Sequence, residues 1–349
     1  MEKEPKIAVL ILGYNDESNL EEAIGTALNQ TYQNFEVIYI DNASTDASLS
    51  LVKSKFPNLK TIEFRKNLGY AGAYAKVLQT TFEKDFEAAI LLNSDVIVDQ
   101  DWLSELVKTA FSMDQIAIAQ PKIFLHGENK HLANTFGNKI NYLGFGFCGH
   151  YKLPDSNEFR TDREIVSASG ASLLIKKSAF ERIGNIDEKF FAYLEDQDLS
   201  WRAQLQGLKI MLSVNSHMWH KYIYNSNQRN AWKFFTLERN RLYFIFKNYS
   251  SKLLFLISPM FCIMEAGVLI DSIFNGYFGA KIRAYFAFLK NFNKIYQDRQ
   301  IIQKSRKMTD RELFEKLNPT IDFKEINSPM LHLANLILET YHKIIKILI

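Results

Sequence analysis

Residues 87–95 read Glu-Ala-Ala-Ile-Leu-Leu-Asn-Ser-Asp. An unbroken apolar run, Ala88–Leu92, stops at three polar residues, Asn93-Ser94-Asp95. A short apolar run cut off in this way predicts a strand buried on both faces. The same figure recurs upstream. Ile7–Leu12 runs into Gly13-Tyr14-Asn15, Phe35–Ile40 into Asp41-Asn42, and Lys60–Phe64 is followed by Asn67. Between these runs the apolar residues fall at helical spacing. Leu20, Ala23, Ile24, Ala27 and Leu28 form one stripe, and helices are predicted over 46–55 and 70–82. Ser18 and Glu21 have capping-box spacing at the first helix. Four strands alternate with three helices, which predicts an α/β fold: a mostly parallel sheet flanked by helices. Ligands of such sheets bind beyond the carboxyl ends of the strands. The polar clusters stand at those ends.

Composition sets the outer bounds. The chain has 349 residues, 47% hydrophobic and 23% charged, which is globular and long enough for about two domains. Cys148 and Cys262 are its two cysteines, which excludes a disulfide framework and a cysteine zinc site and fits a reducing compartment. The first apolar run is six residues long and followed by acidic ones, too short for a signal-peptide core. A net charge of +3 gives no ground for expecting nucleic acid. Residues 121–165 are rich in Gly and Asn and are expected to be loops. Regular pattern returns with strands near 166–175 and 208–214 and a helix from Glu195. The expected division is 1–245 for the α/β domain and 246–349 for a helical region.

Several residues could carry chemistry. Asp95 at a strand end could hold a divalent cation over a diphosphate. Asp41 ends its strand at the height where a nucleoside would lie. Asn67-Leu68-Gly69 opens a helix whose backbone amides could approach a ligand closely. This is not the dinucleotide fingerprint, which would follow the first strand, and a P-loop pattern is absent, so a nicotinamide dehydrogenase is disfavoured. Glu195, Asp196 and Asp198 crowd one helix start. Asp198 can pair with Arg202 four residues on, leaving Glu195 and Asp196 for a cleft, where a general base would be needed. His220 could complete a metal site with Asp95, with His217 as a competitor.

In order and spacing, VLILGYNDESNLEEAI, VIYIDNASTDAS, RKNLGYAGAY, ILLNSDV, SGASLLIKKSAFERIGNIDEKFFAYLEDQDLSWR and the segment Trp219-His220-Lys221-Tyr222 resemble the family 2 glycosyltransferases, over about residues 6–245. ILLNSDV and YLEDQDLSWR are most similar to the rhamnosyltransferase-like branch. The resemblance implies a Rossmann-like GT-A fold and inverting transfer of a sugar, with L-rhamnose from dTDP-L-rhamnose as the expected donor and a lipid-linked or growing surface polysaccharide as acceptor. It implies that Tyr14, Asn15, Asp41, Asn67, Gly69 and Asn93 bind the nucleotide sugar. It implies that Asp95 and His220 hold Mg²⁺ or Mn²⁺, that Asp196 is the catalytic base and that Glu195 binds the acceptor. Asn93 stands where the D-x-D pattern has its first carboxylate, a departure. Two other readings are a UDP-sugar donor (galactose or N-acetylhexosamine) and a non-catalytic, membrane-bound glycan-binding scaffold.

The C-terminal region has its own signature. Leu253–Phe274 is apolar enough to span a bilayer but holds Pro259, Glu265 and Asp271. An interfacial or packed helix is the expectation. Residues 281–307 hold eight basic residues and one acidic one, interleaved with Phe286, Phe288, Leu289 and Phe292. Such a mixture suits an anionic lipid surface. Residues 330–349 form an amphipathic helix that leaves room for a homodimer. The expected partners are a nucleotide-sugar donor, a polyprenyl-linked glycan acceptor and a membrane surface, with a peripheral location on the cytoplasmic face of the cell membrane.

Overall fold

The structure is a computed structural model that describes residues 4–222, 230–324 and 329–349. The chain divides into two compact units. The first comprises residues 1–138, 148–203 and 208–223; the second comprises 139–147, 204–207 and 224–349.

The first unit opens with β1 (Ile7–Gly13), α1 (Glu17–Leu28), β2 (Phe35–Asp41), α2 (Ser48–Lys55), β3 (Lys60–Glu63), α3 (Gly69–Phe82) and β4 (Ala88–Asn93). It continues through β5 (Val96–Val98), α4 (Trp102–Phe111), β6 (Ile116–Leu125) and β7 (Ala133–Thr135). The chain then passes through β8 (Asn138–Ile140) and β9 (Gly146–Cys148), which pair with each other and lie mostly in the second unit, and the first unit resumes with β10 (Arg163–Glu164), β11 (Ser172–Lys176) and α5 (Lys177–Ile183). The series closes with α6 (Glu195–Leu205) and β12 (Lys209–His220).

Among the described residues, the large sheet has the order β10-β12-β6-β11-β4-β1-β2-β3, with β5 on β12 and β7 on β6. β1 is parallel to both β2 and β4, and β3 to β2. β11 runs antiparallel between β4 and β6. This is the expected mostly parallel sheet. Ile7, Val9 and Ile11 on one side of β1 and Ala8 and Leu10 on the other are all fully buried. A strand covered on both faces explains why the sequence shows an unbroken apolar run and no alternation. Each such Ile, Leu or Val contributes about 1.5–3 kcal/mol of burial.

Four expectations are corrected. α1 begins at Glu17, so Ser18 lies inside it and is not its cap; Asp16 precedes the helix, and its carboxylate accepts from Ser94 Oγ at 2.6 Å. The strand expected from 166 begins at Ser172, because the amides of Ser169 and Gly170 are spent on the side chains of Gln120 and Asp196. The strand expected to end near 214 runs on to His220 past an irregularity between Ser213 and His217. The stretch 121–165, expected to be loops, holds the second half of β6 and four short strands.

The second unit contains α7 (Ala231–Asn248), α8 (Ser251–Phe274), α9 (Phe278–Ser305), α10 (Asp310–Lys316) and α11 (Pro329–Leu348). The boundary expected after 245 lies within α7. Thr309 and Glu312 form a reciprocal capping box at the start of α10. Glu238 and Arg241 of α7, Glu265 of α8 and Lys281 of α9 interlock as buried ion pairs.

Candidate active site

The carboxyl ends of β1, β2 and β4 carry three polar loops within the first unit. In the loop after β1, Asn15 has a left-handed backbone (φ 51°) and its Oδ1 accepts from Thr45 N–H at 2.7 Å. Asp41 at the end of β2 is buried; its Oδ2 accepts from Ser44 N–H at 3.1 Å and its Oδ1 from the Tyr39 hydroxyl at 3.4 Å. Tyr14 stands exposed beside them. Asn15 and Asp41 are thus tied into one pair of loops through Ser44 and Thr45.

Asn67 and Gly69 are tied to the same loops through Asn42. The Asn42 amide donates to Asn67 Oδ1 at 3.0 Å, and its Oδ1 accepts from Leu68 N–H at 2.9 Å. Gly69 has φ +70°, and a Cβ there would sit 2.3 Å from the Phe191 carbonyl oxygen. Only glycine serves at this position. Reading the sequence missed Asn42 as a functional position; its place beside Asp41 at a strand end was the available signal.

At the end of β4, Asn93 stands two residues before Asp95 and helps to favour its ionised form. This gives the departure at Asn93 a physical sense: a neutral amide stands where a second carboxylate would repel Asp95. His220, carried into place by the extension of β12, puts Nε2 at 3.3 Å from Asp95 Oδ1. Its Nδ1 meets Asn134 Oδ1 at 3.1 Å. The contact to Asn134 holds the ring so that Nε2 faces Asp95. Burial opposes ionisation of Asp95, but the hydrogen bond and charge of His220 outweigh it and hold the carboxyl below its ordinary value. His217, the competitor, instead faces Val214 O and Asp99. Among the described residues no third His, Cys, Asp or Glu joins Asp95 and His220. A hard oxygen and an imidazole nitrogen converging at hydrogen-bond distance suit a divalent cation whose other positions are filled by substrate phosphate.

The third cluster is at the start of α6. Phe191, Tyr193 and Leu194 all have positive φ (63°, 69° and 66°). Phe191, with ψ −61°, is the centre of a γ-turn closed by Ala192 N–H to Phe190 O at 2.7 Å. Strain of this kind costs about 1–3 kcal/mol per residue and collects at functional sites. It delivers Glu195 and Asp196 into the first turn of α6. Asp198 is fully buried and bonded to Arg202 at 2.9 Å, whose guanidinium also donates to the carbonyls of Ile183, Gly184 and Asn185. Asp198 is therefore a strut.

Glu195 and Asp196 share one site but differ in their partners. Asp196 Oδ2 accepts from Gly170 N–H at 2.8 Å and Oδ1 from Gln197 N–H at 2.7 Å. Glu195 is buried and its Oε2 has no partner. Burial raises both carboxyls above their ordinary values, Glu195 well above because Asp196 also repels its charge. The two backbone donors favour the anion at Asp196, so Glu195 is the member more readily protonated. The peptide at Gly170 is pinned from its other end: the Tyr70 hydroxyl donates to Gly170 O at 2.6 Å. A Cβ at Gly170 would meet that hydroxyl at 2.9 Å. Neither Tyr70 nor Gly170 was marked by the sequence pattern. The adjoining Ala171 carbonyl accepts from Asn93 N–H at 3.0 Å, which links this cluster to the Asn93–Asp95 turn.

Residues 8–184 match the sequence profile of the family described as Glycosyl transferase family 2. An O-antigen biosynthesis protein of Myxococcus xanthus is 25% identical over 228 residues, 62% of this chain but 17% of that protein, so the chain spans about a sixth of its length. N-acetylglucosaminyl-diphospho-decaprenol L-rhamnosyltransferase of Mycobacterium tuberculosis is 24% identical over 218 residues, covering 58% of this chain and 71% of the relative. The crystal structure of GalNAc-T7 with UDP, GalNAc and Mn²⁺ superimposes with a TM-score of 0.55 at 16% identity, over 70% of this chain and 48% of that one. That likeness establishes a shared GT-A fold.

Proposed function

The chain belongs to glycosyl transferase family 2, and we propose that it is an inverting glycosyltransferase that moves L-rhamnose from dTDP-L-rhamnose to a polyprenyl-linked glycan. The observation that carries the reading is the unequal pair at the start of α6: a more readily protonated Glu195 beside an Asp196 whose anion the Gly170 and Gln197 amides favour.

Asp196 removes the proton of an acceptor hydroxyl. The freed oxygen attacks the anomeric carbon opposite the diphosphate, a C–O bond forms as the bond to the diphosphate breaks, and the configuration inverts. Glu195, protonated, donates a hydrogen bond to the acceptor. The loops after β1 and β2 hold the nucleoside through Tyr14, Asn15 and Asp41, while Asn67 and Gly69 shape the neighbouring wall. Asn93 favours the ionised form of Asp95. A divalent cation, Mg²⁺ or Mn²⁺, held by Asp95 and His220 would offset the charge that develops on the leaving diphosphate. The decaprenol-linked acceptor in the name of the mycobacterial relative supports a lipid-linked acceptor.

A UDP-sugar donor is the second reading. It is favoured by a Staphylococcus aureus relative, poly-beta-1,6-N-acetyl-D-glucosamine synthase, 25% identical over 218 residues. Thermal unfolding with dTDP, UDP, GDP, CMP and NAD, each with and without Mg²⁺ or Mn²⁺, separates the two. A ligand at ~100 times its Kd adds about 2.7 kcal/mol. The proposal expects the largest, metal-dependent shift with dTDP. A larger shift with UDP would replace the donor, and no shift with any nucleotide would overturn the enzymatic reading.

A further inference from the structure

α8 is long and apolar enough to cross a membrane by length and composition. Its middle holds Glu265, and the second unit shows what that residue is for. Its carboxylate is bonded to Arg241 of α7, to Lys281 Nζ of α9 at 2.8 Å and to the Tyr285 hydroxyl of α9 at 2.6 Å. Arg241 and Lys281 also hold Glu238. Lys281 and Arg241 are almost completely buried. Glu265 therefore faces protein. At 3.6 residues per turn, Ile263, Ile270 and Phe274 lie on the opposite side of α8. They are exposed, Phe274 by 85%, and Phe255 nearer the start of α8 is exposed by 77%.

α11 adds a second apolar row. The residues it buries are Leu338, His342 and Ile345, and Asn335 is spent on two bonds of 2.9 Å to the backbone of Ile321. Its apolar side, with Leu333, Leu336, Ile337, Ile344 and Ile347, is turned outward. The Tyr341 hydroxyl bonds to Leu256 O at 2.9 Å and Lys252 Nζ to Ile349 O at 3.0 Å, which fastens α11 alongside α8. On α9 the outward residues alternate in kind: Arg283, Phe286, Leu289, Lys290, Lys294 and Tyr296 are all exposed. Three of the eight basic residues counted between 281 and 307 are turned to internal partners: Lys281 to Glu238 and Glu265, Arg299 to backbone carbonyls, and Arg306 to Asp310.

We propose that α8, α9 and α11 form a lipid-binding face on which α8 lies along an anionic bilayer surface and does not cross it. Exposed apolar rows this extensive mark an interaction site. Aromatic and aliphatic side chains set among arginine and lysine match the boundary between acyl chains and anionic headgroups. A second copy would bring the same cations of α9 against themselves in a two-fold contact. Spanning would draw the Glu238–Arg241–Glu265–Lys281 network toward hydrocarbon or break it, and lying flat does neither. The proposal concerns the second unit alone and does not depend on the chemistry assigned to Asp196.

Cys262 lies exposed on α8 and supplies the probe. With Cys148→Ser in the full chain, Cys262 is labelled with a polarity-sensitive fluorophore. It is then mixed, without donor, with vesicles of phosphatidylcholine with or without phosphatidylglycerol, carrying nitroxide quenchers at shallow or deep positions. The expected result is a blue shift with the anionic vesicles and stronger quenching by the shallow nitroxide. Arg283→Gln, Lys290→Gln and Lys294→Gln together are expected to weaken binding by up to roughly 100-fold, at about fivefold for each charge near the surface. Stronger quenching by the deep nitroxide would overturn the in-plane placement. Absence of a shift, equal binding to neutral vesicles, or a dimer in light scattering that hides Cys262 from the label would overturn the lipid face.

Discussion

Two pairs of buried carboxylates in this chain have opposite fates. Glu238 and Glu265 in the second unit are enclosed by Arg241 and Lys281. Burial disfavours their charge, but the two cations outweigh it, and Glu265 is held down to about 2. Glu195 and Asp196 in the first unit are also withdrawn from water, yet no cation is among the causes of their shifts, and both are raised. The first pair is locked in one protonation state and can only hold helices together. The second pair has both carboxyls raised toward neutral pH, the range in which a proton-transfer group works. Burial alone does not mark a catalytic carboxylate; the partners decide.

The strongest way to break this comparison is to uncage the structural pair. Arg241→Met leaves Glu238 and Glu265 with one cation, and loss of a partner from a buried ion pair costs about 3–5 kcal/mol. Chemical denaturation should register that loss, while transfer per folded molecule stays unchanged. Gly69→Ala tests the scaffold of the other pair. It forces a Cβ into the Phe191 carbonyl and a left-handed backbone on a residue with a side chain, at a cost of about 1–2 kcal/mol or more. A lower melting temperature and a raised KM for the donor are expected.

Tyr70→Phe sharpens the comparison by touching only the support of Asp196. Without the bond to Gly170 O, worth about 0.5–1.5 kcal/mol, the Gly170 amide is less firmly aimed at the carboxylate. The acid limb of the pH–rate profile should move to higher pH, with nucleotide affinity intact. Glu195→Gln has the smallest effect and the most diagnostic sign. The folded-state value of Glu195 is raised, so its contribution to stability is fully present below the unfolded value, about 4.3, and is lost as pH rises. Removing the group should flatten the decline of stability above that pH. Glu265 has the opposite sign: its contribution is present above about 4.3 and is lost as pH falls toward about 2.

Much of this was legible in the sequence. β1, β2 and β4 announce themselves because their central residues are buried and run apolar without alternation: Ile7–Leu12, Val37–Ile40 and Ala88–Leu92. Their polar ends mark the loops because a strand buried to its tip can change character only there. Asp198 could be assigned to Arg202 because helical neighbours four apart meet by geometry. The missed features depend on distant residues. His220 belongs to β12 only because an irregularity near Ser213 lets the strand resume pairing with β6. The left-handed residues before α6 carry no glycine to signal them. The mates of Glu265 stand 24 and 16 residues away on other helices, so its cage could not be read from the periodicity of α8. The outward turn of the apolar side of α11 reverses the usual rule for a surface helix and was equally hidden.

The central claim is that Asp196 is the group that takes the acceptor proton. Asp196→Asn keeps the shape of the side chain and its place beside Gly170 while removing the base. Transfer from the donor selected by the nucleotide panel, measured with nucleotide binding by calorimetry on the same sample, tests it. The account predicts wild-type nucleotide affinity and transfer reduced by about 10²–10⁴-fold. Near wild-type transfer by the variant would contradict it.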